Sequence, residues 1–247
     1  MRVLSVCGIS KSGKTTTVEH IIRELIRRGY SVGSLKDIHF EDFKIDTGDT
    51  NTDRHKKAGA CPVIARGLYE TDVMFGKKLS IDDILGFYIQ DYIILEGVFE
   101  PGIPMILTAH DISGLTEMDN PFVFAVSGRI SSEIDEYKGR PAIDATRNIE
   151  SLVSLIEEKV FDRLPMIDKK CCGLCGFDCV SMGERIIAGT SSPNDCLLKK
   201  NVSLKIDGKK LELAPFVQKI LKNAVLGVAG ELRGYKKGRI EVEFYNE

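Results

Sequence analysis

Residues 8–15 read Gly8-Ile-Ser-Lys-Ser-Gly13-Lys14-Thr15, which satisfies the pattern G-x-x-x-x-G-K-[S/T]. This pattern constrains the fold because it works only where a buried strand ends and a helix begins. Both flanks meet that requirement. The run RVLSVCG before it reads as a short apolar strand. From Lys14 onward Val18, Ile21, Ile22, Leu25 and Ile26 recur on one helical stripe, which stops at Gly29. In such a turn, glycines let backbone N–H groups curl around phosphate oxygens, and the helix N-terminus adds its dipole. Lys14 would reach the outer phosphates and Thr15 would offer a hydroxyl to Mg²⁺. Gly8, Ser10, Lys11, Ser12, Gly13, Lys14, Thr15 and Thr16 are therefore the candidate ligands of a nucleoside triphosphate.

The rest of the chain supports an α/β fold around that turn. SVGSLKD, PVIARG, YIILEG, MILTA and FVFAV read as further buried strands bounded by Gly, Pro or Asp. A helix is expected over 144–164, with Ile149, Leu152, Val153, Ile156 and Val160 at helical spacing. Strands alternating with helices predict a mainly parallel sheet covered on both faces. Pro165 marks a boundary, giving a nucleotide-binding domain at 1–165, a cysteine-rich segment at 166–200 and a small α+β tail at 201–247. In the tail, NVSLKI-DG-KKLEL predicts a hairpin turning at Asp207-Gly208. A helix over 215–232 and a strand at RIEVEFY would complete a β-β-α-β unit.

A net charge of −2 gives no general pull toward nucleic acid or an anionic membrane, and neither partner is expected. The apolar run 3–9 is too short for a signal peptide, and no later stretch approaches a membrane span. Seven cysteines, an odd number, suit reduced thiols better than a disulfide framework, so a cytoplasmic setting is expected.

An acidic partner for Mg²⁺ should emerge at the tip of a neighbouring strand. Asp91-Tyr-Ile-Ile-Leu-Glu96-Gly97 supplies Glu96 there, with a structural salt bridge as the competing reading. Lys36 and Asp37 end another strand and are weaker candidates for phosphate and Mg²⁺ contact. No N-K-x-D or T-K-x-D stretch occurs, so no familiar guanine-reading signature is present.

At this point the chain resembles a known family. GISKSGKTTT, VGSLKDIHF, DTGDTNTDRHKKAGA (46–60) and YIILEGVF occur in the order seen in the molybdopterin-guanine dinucleotide biosynthesis protein B (MobB) family, over about residues 1–165. The resemblance implies a P-loop NTPase fold, GTP with Mg²⁺, dimerisation, weak hydrolysis, and a MobA-like nucleotidyltransferase partner that attaches GMP to molybdopterin. It implicates Gly13, Lys14, Thr15 and Thr16 in phosphate binding and Glu96 at Mg²⁺. Thr52, Arg54 and His55 would line the site or a dimer interface. On chemistry alone, Arg54 suits a surface salt bridge equally well, and Thr52 a helix cap. The chain departs from the family pattern at Lys11, where Gly is usual, at Asn51, where Asp is usual, and in VFEPGIPMI, which lacks the usual lysines. Two other readings share the motif: a ligase or kinase like dethiobiotin synthetase, with Lys36 near the transferred phosphate, and a metal- or cluster-delivery NTPase. The latter's signature lysine would fall at Ile9.

The cysteine segment reads C-x₂-C-x₃-C-x₁₆-C through Cys172, Cys175, Cys179 and Cys196. Thiolates at such spacings can converge, with Gly173 and Gly176 letting the backbone approach sulfur. Three clustered cysteines and one remote one favour a [4Fe–4S] cluster, with structural Zn²⁺ as the alternative. The segment also resembles small iron–sulfur domains with a C-G-x-C-G pattern. Cys171, beside Cys172, is expected to be a spare thiol; Cys7 and Cys61 are expected to be small core residues in strands.

Overall fold

The computed structural model describes residues 1–40, 43, 44, 46, 48–165, 175–196, 202, 204–206, 209–211, 213, 215–235 and 240–242. Chain order begins β1 (Arg2–Gly8), α1 (Lys14–Arg27), β2 (Val32–Lys36), α2 (Asn51–Lys57), β3 (Val63–Arg66), β4 (Thr71–Met74) and α3 (Ile81–Leu85). It continues with β5 (Tyr92–Glu96), β6 (Met105–Thr108), α4 (Ile112–Met118), β7 (Val123–Ser127), α5 (Ile149–Lys159), α6 (Cys179–Ile187) and α7 (Pro215–Ala229). Five strands form one sheet in the order β2-β5-β1-β6-β7, and every pairing in it is parallel. The motif-bearing strand β1 is thus the middle strand. No described helix is long and apolar enough to cross a membrane.

Alternation along the central strands divides the core into two layers. Leu4 and Val6 of β1 join Tyr92 and Ile94 of β5 in a large cluster with Val18, Ile21 and Leu25 of α1 and Leu152, Val153 and Ile156 of α5. Val3, Ile93 and Leu95 face the other way, against Leu85, Val98 and Ile103. Helices α1 and α5 are also tied by charge: Glu24 accepts from Arg27 and Arg28, and Arg28 reaches on to Glu157.

The segment beyond Pro165 adds to the first cluster. Met182 and Ile187 of α6, with Cys196, are buried beside Phe122 and Phe161. Each of the two large apolar side chains contributes roughly 1.5–3 kcal/mol by burial. Gly183 is what allows the approach, because a Cβ there would lie 2.9 Å from the Phe122 ring.

Several expectations change in detail. PVIARG does form a strand, but β3 pairs antiparallel with β4 in a separate two-stranded ribbon, and Ile64 is exposed. The helix expected from Asp144 starts at Ile149 instead, because Thr146 donates both its N–H and its hydroxyl to Asp144 Oδ1 and closes a turn. In the tail, Leu204–Ile206 pairs antiparallel with Lys209–Leu211 as expected, and α7 follows. The Asp207-Gly208 turn lies outside the described residues, and the described part of RIEVEFY, residues 240–242, is not in a strand.

Candidate functional site

The glycine-rich turn leaves β1 at the carboxyl edge of the sheet, where ligands of open α/β sheets bind. Gly13 stands at the N-cap of α1 in the left-handed region (φ 101°), and no side chain caps that helix. The first-turn N–H groups therefore remain available to an anion. Ser12, fully buried, donates its hydroxyl to Ile9 O (2.8 Å) and pairs with Thr108 Oγ1 (2.6 Å), which pins the turn to β6. Lys14 Nζ crosses the turn to Gly8 O (2.9 Å) and Ile9 O (2.6 Å). Partial burial lowers its pKa, opposed by the nearby Glu96 carboxylate.

On one flank three functional groups meet. Thr15 Oγ1 donates to Glu96 Oε1 at 2.6 Å, and Lys36 Nζ lies 2.9 Å from that same oxygen and 3.4 Å from Thr15 Oγ1. Strand register explains the meeting, since Val6 of β1 and Lys36 of β2 both pair with Glu96 of β5. Glu96 is 7% exposed, so its charge sits in a poorly solvated place beside a hydroxyl. A carboxylate and a hydroxyl on one spot are a hard-oxygen donor set that fits Mg²⁺. Asp37 also lines the cleft, where it is engaged in a salt bridge with Lys78 (3.3 Å).

A cleft of about 1000 Å³ runs over this floor. Of the residues expected from the motif, Gly8, Ser10, Lys11, Gly13, Lys14, Thr15 and Thr16 line it, together with Lys36 and Glu96; Ser12 supports it from below. Its wall also carries residues that the motif did not reveal: Gly128 and Arg129, just past β7, and Asp144–Arg147. Gly128 abuts the turn so closely that a Cβ would lie 2.3 Å from Ser12 O, and Arg129 N donates to that oxygen. A polar break directly after the apolar run FVFAV was the available signal for Gly128 and Arg129. A second cavity, about 480 Å³, opens at the opposite strand ends beside Arg2, Tyr30, Asp91 and Tyr92, away from the motif.

Thr52, Arg54 and His55 lie on α2, which contributes nothing to the cleft wall of this chain. Thr50, not Thr52, caps that helix by accepting from Asp53 N, and Thr52 Oγ1 lies 3.0 Å from Thr50 Oγ1.

Of the expected cluster ligands, Cys172 lies outside the described residues, as does Cys171. Cys175 and Cys179 are half-buried against the main core cluster and Cys196 is buried in it. Among the described residues no three His, Cys, Asp or Glu side chains gather as a metal-binding group. Cys7 is a core residue as expected, its thiol donating to Val98 O and held above its usual pKa by burial. Cys61 is not: it is exposed ahead of β3.

Comparison with known proteins agrees with this arrangement. Residues 3–126 match the family described as molybdopterin guanine dinucleotide synthesis protein B. A protein of Methanocaldococcus jannaschii, named as a molybdopterin-guanine dinucleotide biosynthesis adapter protein, is 28% identical over 241 residues, covering 95% of this chain and 93% of that protein. The Haemophilus influenzae adapter protein of the same name is 31% identical over 162 residues, 63% of this chain and 87% of its own length. Among solved structures, Bacillus subtilis MobB superposes with a TM-score of 0.54 at 21% identity, covering 66% of this chain and all of that one. The fold, the phosphate-binding turn and the match over residues 3–126 place this chain in the MobB family.

Proposed function

We propose that this chain is a GTP-binding adapter in molybdopterin-guanine dinucleotide biosynthesis, acting on a MobA-like guanylyltransferase rather than carrying out the transfer itself. The family match over residues 3–126, laid over an intact phosphate-binding turn, carries the reading. The first turn of α1 and Lys14 hold the triphosphate. Thr15 and Glu96 hold Mg²⁺, which neutralises phosphate charge when bound. Hydrolysis is slow, and the nucleotide-held form is the one presented to the partner, in the manner of a switch. Thr52, Arg54 and His55 on α2 belong to a surface of a homodimer. A guanylyl-transfer assay with purified partner tests this reading. The chain with Mg²⁺ and GTP should raise the rate of GMP transfer severalfold, and a Lys14→Ala chain should not. An unchanged rate with the unaltered chain contradicts it.

The cysteine segment is proposed to carry a [4Fe–4S] cluster on Cys172, Cys175, Cys179 and Cys196, with Zn²⁺ as the alternative occupant. The spacing of the four thiols along the chain supports it. Anaerobically purified protein should contain about four iron atoms and four sulfides per chain. Cys175→Ser should lose most of both while nucleotide binding persists. Stoichiometric zinc without iron would replace the cluster by a structural metal.

A further inference from the structure

The missing N-K-x-D signature leaves open how such a protein would recognise guanine. Two features of the cleft bear on it. The first is where the chain runs after β7. Ala142 forms a parallel bridge with Val126, and Ile143 N donates to Val126 O (2.9 Å). This short extension of the sheet delivers Asp144 to its carboxyl edge, beside Gly128 and Arg129, in the wall of the nucleotide cleft. The 142–143 segment stands three strand steps from β1, or about 14 Å at roughly 4.8 Å per step, while the turn that would hold the phosphates reaches over as far as Gly128. That segment lies opposite the Glu96–Lys36 flank, so a nucleotide with its outer phosphates at Lys14 and Glu96 extends its base toward Asp144.

The second feature is how the carboxylate is held. Thr146 donates its N–H (2.8 Å) and hydroxyl (2.7 Å) to Oδ1, which fixes the group in one orientation. Oδ2 has Arg147 Nε at 3.4 Å, a long contact from a side chain that is itself 78% exposed. The backbone N–H of Arg147 also acts on the carboxylate, so Oδ1 is anchored by Thr146 while Oδ2 faces the Arg147 guanidinium and the cleft. Met118 and Arg129 also line the cleft and are candidate surfaces for a base face.

We infer that Asp144 is the base-reading residue of this site, its Oδ2 accepting from the 2-amino group of guanine. The inference rests on the nucleotide site proposed above. Adenine presents an acceptor at N1, which a carboxylate repels, and nothing at C2, so Asp144 disfavours it by an unpaired charge as well as by lost contacts. Substitution by asparagine makes a specific demand. With Oδ1 held by Thr146, the new amide nitrogen takes the place of Oδ2 and becomes a donor. That suits xanthine, which carries an oxygen at C2, and no longer suits guanine.

Calorimetric titration of the full chain and of Asp144→Asn with GTP, ATP, xanthosine triphosphate and inorganic tripolyphosphate tests the inference. The unaltered chain should prefer GTP over ATP by roughly tenfold or more, the scale of a hydrogen bond to a charged group. Asp144→Asn should lose about that factor for GTP, gain it for xanthosine triphosphate, and keep its tripolyphosphate affinity. Equal GTP affinity in both proteins, or no gain for xanthosine triphosphate with tripolyphosphate binding intact, overturns the assignment. If the variant also loses tripolyphosphate, inosine triphosphate decides in the unaltered chain. Lacking the 2-amino group, it should bind more weakly than GTP, and equal binding overturns the role of Asp144. An unaltered chain that binds tripolyphosphate but discriminates no base refutes Asp144 alone, whereas one that binds none of the four ligands refutes the nucleotide site itself.

Discussion

Lys14→Ala is expected to reduce triphosphate affinity by at least about a hundredfold while leaving the fold in place. The magnitude follows from charge-assisted hydrogen bonds to phosphate, each worth roughly 1.5–3 kcal/mol, made here by a single cation at the mouth of the turn. The fold should survive because the ammonium's contacts are with the carbonyls of Gly8 and Ile9, and the turn is anchored separately by Ser12 to Thr108 and by Arg129 N to Ser12 O. The melting temperature should move by no more than a few degrees, as for a substitution outside the packed core. Fluorescence titration with a labelled nucleotide, read beside a thermal melt, separates the two effects. Unchanged affinity would remove Lys14 from the phosphate site, and a collapsed melt would show that the residue is structural.

Glu96→Gln is expected to abolish the gain in nucleotide affinity that Mg²⁺ brings, with little change when the metal is chelated. Glutamine keeps the size of the side chain and can still accept from Thr15, but a neutral amide is a poor ligand for a hard cation. Lys36 sharpens the expectation. Its ammonium lies within 2.9 Å of Glu96 Oε1 and 3.4 Å of Thr15 Oγ1, so it stands across the two groups proposed to take the metal. In the unaltered protein Mg²⁺ would have to compete with Lys36 for Glu96, which would free the ammonium to turn to the phosphates. In the variant the metal has lost its charged ligand, and the ratio of affinities with and without Mg²⁺ should fall toward one. An equal response to Mg²⁺ in both proteins would exclude Glu96 from the metal shell.

These residues were legible in the sequence because their placement follows from local rules. A continuous apolar run such as YIILE must be a buried central strand, so the residue at its tip emerges at the sheet edge with Glu96 in the right place. The turn between β1 and α1 is likewise specified by glycines and a periodic stripe. What sequence reasoning missed depends on long-range pairing. The strand character of β3 is local, but its exclusion from the main sheet depends on β4, which covers its edge as an antiparallel partner. Asp144 reads as the start of a helix because apolar spacing continues beyond it, yet Thr146 diverts the backbone into a turn. Arg129 and Gly128 join the site only because β7 lies two strands from β1 in the sheet order. Arg54 and Thr52 carry a recognisable pattern, but no spacing rule tells which side of the sheet edge a short exposed helix such as α2 will face.

The central claim, that the cleft above Gly8–Thr15 is a guanine nucleotide site, is tested most directly by calorimetric titration of the intact chain with GTP and ATP in Mg²⁺. One GTP per chain should bind, more tightly than ATP, with both the binding heat and the Mg²⁺ enhancement lost in Lys14→Ala. Absence of binding heat for either nucleotide, or binding that Lys14→Ala leaves unchanged, would contradict the account.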